Sequence, residues 1–208
     1  MADLSGLDIT AIKTMLDRDA IFDLVRLERL WRDQCEWEKL DASYTDDGFV
    51  RVSWFEGSAH EFVRRSREMF NTGTLSKHLI LPTLLRIEGD RALAESYGQV
   101  QIRGKLEGVE YDLVSHCRFL SRVARTRAGW RLGSFDAIYI RDNVTAVYPS
   151  ERLPITADTV AKYRSSYRFI SYLLGARYPV SQELPGDDRP DLVEKLYKEG
   201  EAWLHNRG

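Results

Sequence analysis

The chain has little of what builds a stapled, metal-bound or membrane-embedded protein. Of its 208 residues only Cys35 and Cys117 are cysteines, and only four are histidines. Two cysteines make neither a disulfide framework nor a zinc cluster. Both sit in periodic apolar segments and are expected as buried, reduced thiols. His60, His78, His116 and His205 do not fall at ligand spacing with carboxylates, so no metal is expected. No apolar run approaches the roughly 18 to 20 residues that cross a bilayer. The N-terminus lacks the apolar stretch of a signal peptide, so a cytoplasmic protein with no membrane contact is expected. A basic excess is also missing: 30 Lys and Arg stand against 32 Asp and Glu, a net charge of −2. That argues against a nucleic-acid partner, and the basic run 122–131 reads as a solvated hairpin tip. No phosphate loop, dinucleotide fingerprint or nucleophile elbow is present, so an enzyme of this sequence is expected to use no cofactor.

What is there is an ordinary globular composition, 43% hydrophobic and 30% charged. The length is that of one domain, with room for an appendage. Ile12, Leu16, Ala20, Leu24, Leu27, Leu30 and Trp31 recur at three-to-four spacing, which predicts helix over most of the first 45 residues. Asp8 and Thr10 offer a start cap. Asp46-Asp47-Gly48 is read as the turn that ends it. An alternating, β-branched strand follows over 49–54, then an amphipathic helix over 58–70 with Phe62, Val63, Ser66, Met69 and Phe70 as its inner stripe. Four strand-like runs come next, at 79–87, 92–102, 111–123 and 130–140. The short turns between them predict an antiparallel meander. The fold class expected is α+β, a curved sheet wrapped around helices with a cavity between the layers. Residues 1–147 form that domain. Residues 148–208 form a linker and helical extension, with a helix over 156–174 stopped by Gly175, a proline-rich loop, and a last helix from Asp191 to about His205. Its aromatics, Tyr163, Tyr167, Phe169 and Tyr172, either cover a pocket mouth, meet a neighbouring subunit, or pack as an appendage of the same subunit.

Three stretches carry a family resemblance. The first is Asp17-Arg18-Asp19-Ala20-Ile21-Phe22-Asp23-Leu24, followed by Asp33-Gln34-Cys35-Glu36-Trp37 and Asp46-Asp47. The second is His78 followed by Gly89-Asp90-Arg91-Ala92-Leu93-Ala94-Glu95-Ser96. The third is Gly129-Trp130-Arg131-Leu132. Their order and spacing over about residues 8 to 145 resemble the SnoaL-like family of the nuclear transport factor 2-like superfamily, which holds scytalone dehydratase, a lindane dehydrochlorinase and polyketide cyclases. The resemblance implies a cone-shaped barrel, association as a homo-oligomer with a trimer favoured over a dimer, and a catalytic pair at Asp33 and His78. The sequence departs from the dehydratase at Arg32, where a tyrosine stands in that enzyme, at 52–54, and at Pro82.

The residues themselves agree with that pair. Asp33 lies beside apolar positions of a helix, and a carboxylate buried there without a partner costs about 2–7 kcal/mol. An imidazole held by it has one nitrogen fixed and the other left as a base, titrating near neutrality. Tyr44 and Trp54 are expected as aromatic lining, and Tyr97 and His116 as further substrate contacts. Strand alternation leaves open whether His116 and Arg118, or Ser115 and Cys117, face the cavity. The wealth of Trp and Tyr points to a small aromatic substrate. The function expected is a cofactor-independent lyase, one form of which, in the lignin γ-formaldehyde lyases, releases formaldehyde from diarylpropane diols to give stilbenes. A dehydratase or dehydrohalogenase, a polyketide-cyclase-like isomerase and a non-catalytic binding module are the alternatives.

Overall fold

The computed structural model of the chain describes residues 8–73 and 75–205. The first seven residues, part of the stretch read as helical, lie outside it. The first helix, α1 (Ile9–Gln34), starts where the Asp8 carboxylate accepts from the backbone N–H groups of Thr10 and Ala11. It does not run on to residue 44. Cys35 takes a left-handed conformation at φ 63°, and the N–H of Glu36 closes back onto the Trp31 carbonyl at 2.9 Å. A short α2 (Trp37–Ala42) follows, and then the chain is already extended in β1 (Tyr44–Val52). Asp46-Asp47-Gly48 therefore lies within a strand, at an irregularity in pairing between Tyr44 and Phe49, and is not a helix-ending turn. The chain continues through β2 (Phe55–Ser58) and α3 (Ala59–Asn71), which Ser58 caps at the Glu61 N–H. Phe70, expected on the inner stripe of α3, is exposed.

Four long strands form the meander: β3 (Leu75–Glu88), β4 (Arg91–Leu106), β5 (Val109–Thr126) and β6 (Gly129–Ala146). Each is longer than the hydrophobic runs alone predict, because hairpin pairing continues past the apolar core into polar residues. Among the described residues there is one sheet of six strands, in the order β2-β1-β6-β5-β4-β3. It is antiparallel except where β1 lies parallel to β6. The sheet curls around α1 and α3. Ile21, Leu24, Val25, Phe62 and Val63 meet Leu113, Phe119, Leu132 and Phe135 in the main core. Gly98 sits on the inner side of β4, where a Cβ would come within 2.6 Å of both the Leu79 carbonyl oxygen and the Phe119 ring. Only glycine lets that ring lie flat on the sheet, where it stacks on Phe135 at 5.0 Å.

The extension straddles the sheet. Helix is interrupted within 156–174, leaving α4 (Ala157–Val160) and α5 (Arg168–Gly175). Tyr167 is fully buried between them, with its ring 4.7 Å from that of Tyr139 on β6. Tyr167, Ile170, Leu174 and Leu184 belong to the same core as the sheet. The last helix, α6 (Pro190–His205), packs on the opposite face, where Leu196 meets Leu120 and Ile138. Tyr197 donates to Glu95 at 2.6 Å and accepts from Arg118 at 2.5 Å. Leu196 is 1% exposed. We expect Leu196→Ala to lower unfolding free energy by about 2–4 kcal/mol in urea denaturation, because it opens a void that neither layer can close.

Candidate active site

The buried stripe of α1 is made of Ile21, Leu24, Val25, Glu28, Arg29 and Arg32. Four charged groups, counting Asp33 beside it, therefore enter the interior from one helix face. Leu16 and Leu30, expected on that stripe, are exposed. The charges are sorted into pairs. Arg29 donates to both carboxylate oxygens of Glu28, whose Oε1 also accepts from the Tyr44 hydroxyl at 2.7 Å. The Arg29 guanidinium lies 4.1 Å from the Phe135 ring centroid. Burial alone would make Arg29 easier to deprotonate, but the Glu28 carboxylate outweighs it and holds the guanidinium charged. Burial, with Glu28 beside it, pushes the Tyr44 phenol well above its usual range. Tyr44 thus serves the ion pair beneath the cavity and is not among its lining residues.

Asp33 is in the last turn of α1, at the negative end of the helix dipole, where a carboxylate is poorly placed. It finds compensation on β3. That strand is the edge of the sheet, so every second N–H lacks a neighbouring strand. The His78 N–H donates to Asp33 Oδ2 at 2.6 Å, and His78 Nδ1 lies 2.7 Å from Asp33 Oδ1. Lys77 Nζ donates to the Asp33 carbonyl. Burial would raise the Asp33 carboxyl, but the hydrogen bonds from the His78 ring and backbone, with the Arg32 charge nearby, hold it below its ordinary range. An ionised carboxylate only accepts, so Nδ1 carries the imidazole hydrogen and Nε2 is left as the acceptor.

His78 lines a narrow hollow with Arg29, Arg32, Ser53, Trp54, Phe62, Ser76, Phe119 and Phe135, closed by Ile170 and Leu174 of α5. Its volume of about 30 Å³ is room for on the order of two waters. Burial, added to by the positive charges of Arg32 and Arg29 and opposed by Asp33, pushes the imidazole down to about 4. The base is therefore neutral far below the near-neutral titration expected from sequence. Trp54 stands in the wall, its ring 5.5 Å from that of Phe62. Tyr97 and His116 are not at the cavity. They lie on the outer face of the sheet with Leu79, Leu81 and Arg141. Strand alternation decides this, turning Ser115 and Cys117 inward. Burial pushes the Cys117 thiol up to about 12, whereas Cys35 is only half-buried at the end of α1. Sequence reasoning missed Glu28, Arg29, Arg32 and Ser76 as members of the site. The available signal was the three-to-four spacing from Ile21 through Leu24 and Val25, which arrives at Glu28 and Arg32. Among the described residues no group of three or more His, Cys, Asp and Glu could hold a metal ion, and no helix is long and apolar enough to cross a membrane.

The depressed His78 has a consequence for stability. An unfolded imidazole takes up a proton below about 6.5, and the folded one only near 4, so stability falls as pH drops through that window. Asp142, pushed up to about 6 mainly by burial, acts in the opposite sense. Comparison with His78→Asn separates the two. Between pH 7 and pH 5 the unaltered chain should lose about 2 kcal/mol more unfolding free energy than the variant, read from urea midpoints.

Comparison with known proteins places this geometry in a family. Residues 13–136 match the profile described as the SnoaL-like domain. Among curated proteins, the chain is 24% identical over 185 residues to pea pathogenicity protein 2 of Fusarium vanettenii, covering 85% of this chain and 78% of that protein. It is also 24% identical over 226 residues to a PEP2-like protein of the same fungus, covering 98% and 97%. Among solved structures, an NTF2-like protein with a cystatin-like fold from Novosphingobium aromaticivorans superposes with a TM-score of 0.50 at 25% identity, over 66% of this chain and 90% of that one. A protein from the same bacterium, provisionally named a scytalone dehydratase, does so with a TM-score of 0.50 at 16% identity, over 70% and 97%. With its curled six-stranded sheet wrapped on α1 and α3, the chain belongs to the SnoaL-like family and has the nuclear transport factor 2-like cone fold.

Proposed function

We propose that the chain is a cofactor-independent lyase in which His78, held by Asp33, removes a proton from a small aromatic substrate. The observation that carries this reading is a buried neutral imidazole with Nδ1 clasped by a carboxylate, lining an apolar hollow. The family includes dehydratases and isomerases, so proton abstraction is at home on this fold. In the step envisaged, Nε2 takes a proton from carbon. The electron pair left behind becomes a double bond as the neighbouring substituent departs with its bonding pair. The imidazolium then returns the proton to the departing hydroxide, which leaves as water. Arg29 and Arg32 oppose full charge on His78, so the imidazolium is short-lived and proton return is favoured. A single-ring alcohol, dehydrated in this way, must push back part of the wall of so small a hollow, and is favoured over the two-ring diarylpropane diols of a formaldehyde-releasing lyase. Those would need more of the wall displaced.

The test is a panel of aromatic alcohols and halides assayed for water, halide or formaldehyde release. For any substrate turned over, His78→Gln should lower kcat by about 10²- to 10⁴-fold while the far-ultraviolet circular dichroism stays unchanged. The kcat/KM profile should be level from about pH 5 to 8 and fall on the acid side with a midpoint near 4, where His78 gains its proton. Undiminished turnover in the variant would remove His78 as the base, and ligand binding with no turnover across the panel would return the chain to the class of binding modules.

We also propose that the chain assembles as a homotrimer, as the resemblance implies. Leu79 and Leu81 are 56% and 64% exposed and share the outer sheet face with Tyr97 beside α6, which supports association there. Light scattering should give three times the chain mass, and Leu81→Lys should lower it. A monomer for the unaltered chain removes the idea.

A further inference from the structure

Arg32 is 8% exposed, and its partners do not match its donors. Nη1 donates to Ser76 Oγ at 2.6 Å, while Nε is buried with no hydrogen-bond partner. The nearby carboxylates are already occupied. Both oxygens of Glu28 serve Arg29, and both oxygens of Asp33 serve His78. Trp54 and Phe62 lie under the guanidinium, at 5.8 and 5.7 Å to their centroids, and supply only cation–π attraction. Beyond the main hollow, Arg32 also lines a small recess with Ser76 and Ser66, and the Ser66 hydroxyl is likewise buried without a partner. A buried guanidinium with an unused N–H edge is costly unless an anion completes it, and its planar fork matches the two oxygens of a carboxylate.

We propose that Arg32, with Ser76 and Ser66, forms a carboxylate subsite beside His78, so that the substrate is a small hydrophobic carboxylic acid. This rests on the reading of the hollow as a substrate site, and it deepens that reading by naming the group that orients the substrate. Arg32 and His78 line the same hollow, so a carboxylate anchored at Arg32 places the adjoining carbon toward the imidazole on β3. Burial, with Arg29 nearby, pushes the Arg32 guanidinium down to about 10, which leaves it cationic at neutral pH. Asp33 is the counter-charge it senses most strongly, and that carboxylate faces His78.

Binding tests this separately from catalysis. The unaltered chain and His78→Gln are titrated with acetate against acetamide, and with phenylacetate against phenylacetamide. The small pair fits the closed hollow and the larger pair tests its aromatic wall. In both proteins at least one acid should bind about tenfold or more tightly than its amide, and should shift the Arg32 Nε–H resonance in nitrogen-15 spectra. Arg32→Gln should abolish the preference, and Ser66→Ala should weaken it. If Arg32→Gln does not fold, Arg32→Lys replaces it. That variant keeps the charge without the fork, and the preference should fall several-fold. Equal binding of acid and amide in both pairs, or an acid preference untouched at Arg32, overturns the subsite. Because neither acid carries a departing substituent, their binding reads the subsite alone; failure of the alcohol and halide panel would sink the lyase and leave an acid preference at Arg32 standing.

Discussion

One carboxylate holds the site together. Asp33 takes the backbone N–H of an edge strand with one oxygen and the ring N–H of the same residue with the other. The first bond satisfies an amide that no neighbouring strand reaches, and so fixes the end of α1 against β3. The second orients the imidazole and sets its tautomer. Because both fall on one residue, the placement of His78 is a property of how helix meets sheet and does not depend on a flexible loop. The helix end matters as much. Had α1 run on past Cys35, residue 33 would sit mid-helix, and the chain could not turn at once into the strands that bring Ser53 and Trp54 to the opposite wall.

Charge sorting along α1 explains why the imidazole is neutral although it touches a carboxylate. Two acids and two arginines enter the interior, and their count balances, but their pairing does not. Glu28 and Arg29 pair with each other and with Tyr44, yet the Arg29 charge still reaches the imidazole, second to that of Arg32. Asp33 spends its oxygens on a neutral ring, which leaves the Arg32 charge facing the same space. A proton arriving on His78 must therefore share a small, poorly hydrated volume with a cation, and burial adds to that cost. The same arrangement welcomes negative charge. The electrostatics that weaken His78 as a proton store thus favour any ligand that becomes, or already is, anionic.

The meander and the α+β class were legible because strands with period-two patterning and short turns leave a strong local signal. The pair Asp33 and His78 was legible from motif order. Two things were hidden for physical reasons. The end of α1 is made by a left-handed cysteine, whose side chain gives none of the warning that glycine would. The identity of the inner stripe was masked because long apolar residues such as Leu16 and Leu30 face outward, while Glu28, Arg29 and Arg32 take core positions by pairing with each other or with their surroundings. Faces were harder still. Tyr97 and His116 look like pocket residues in a list of aromatics and histidines, but alternation on β4 and β5 sends both to the far side of the sheet. The burial of Ser115 and Cys117 against the exposure of Tyr97 settles it.

The extension changes what the cone can hold. In the hollow, Ile170 and Leu174 replace open solvent, and they are positioned by contacts that also shape the wall. The Ile170 N–H donates to Asp142 Oδ2 at 2.8 Å, and the Tyr167 ring packs tilted against that of Tyr139. The Tyr139 hydroxyl in turn accepts from the Ser53 N–H at 2.7 Å, one residue before Trp54. A ligand larger than a few heavy atoms must therefore displace α5, and that displacement is felt at Trp54 through Tyr139. The latch has a built-in weakness. Asp142 Oδ1 is buried with no partner, so one oxygen of the anchoring carboxylate contributes nothing to the attachment while its desolvation still counts. The room in the hollow is thus set less by the cone itself than by how firmly an imperfectly satisfied carboxylate on β6 holds α5 at its rim.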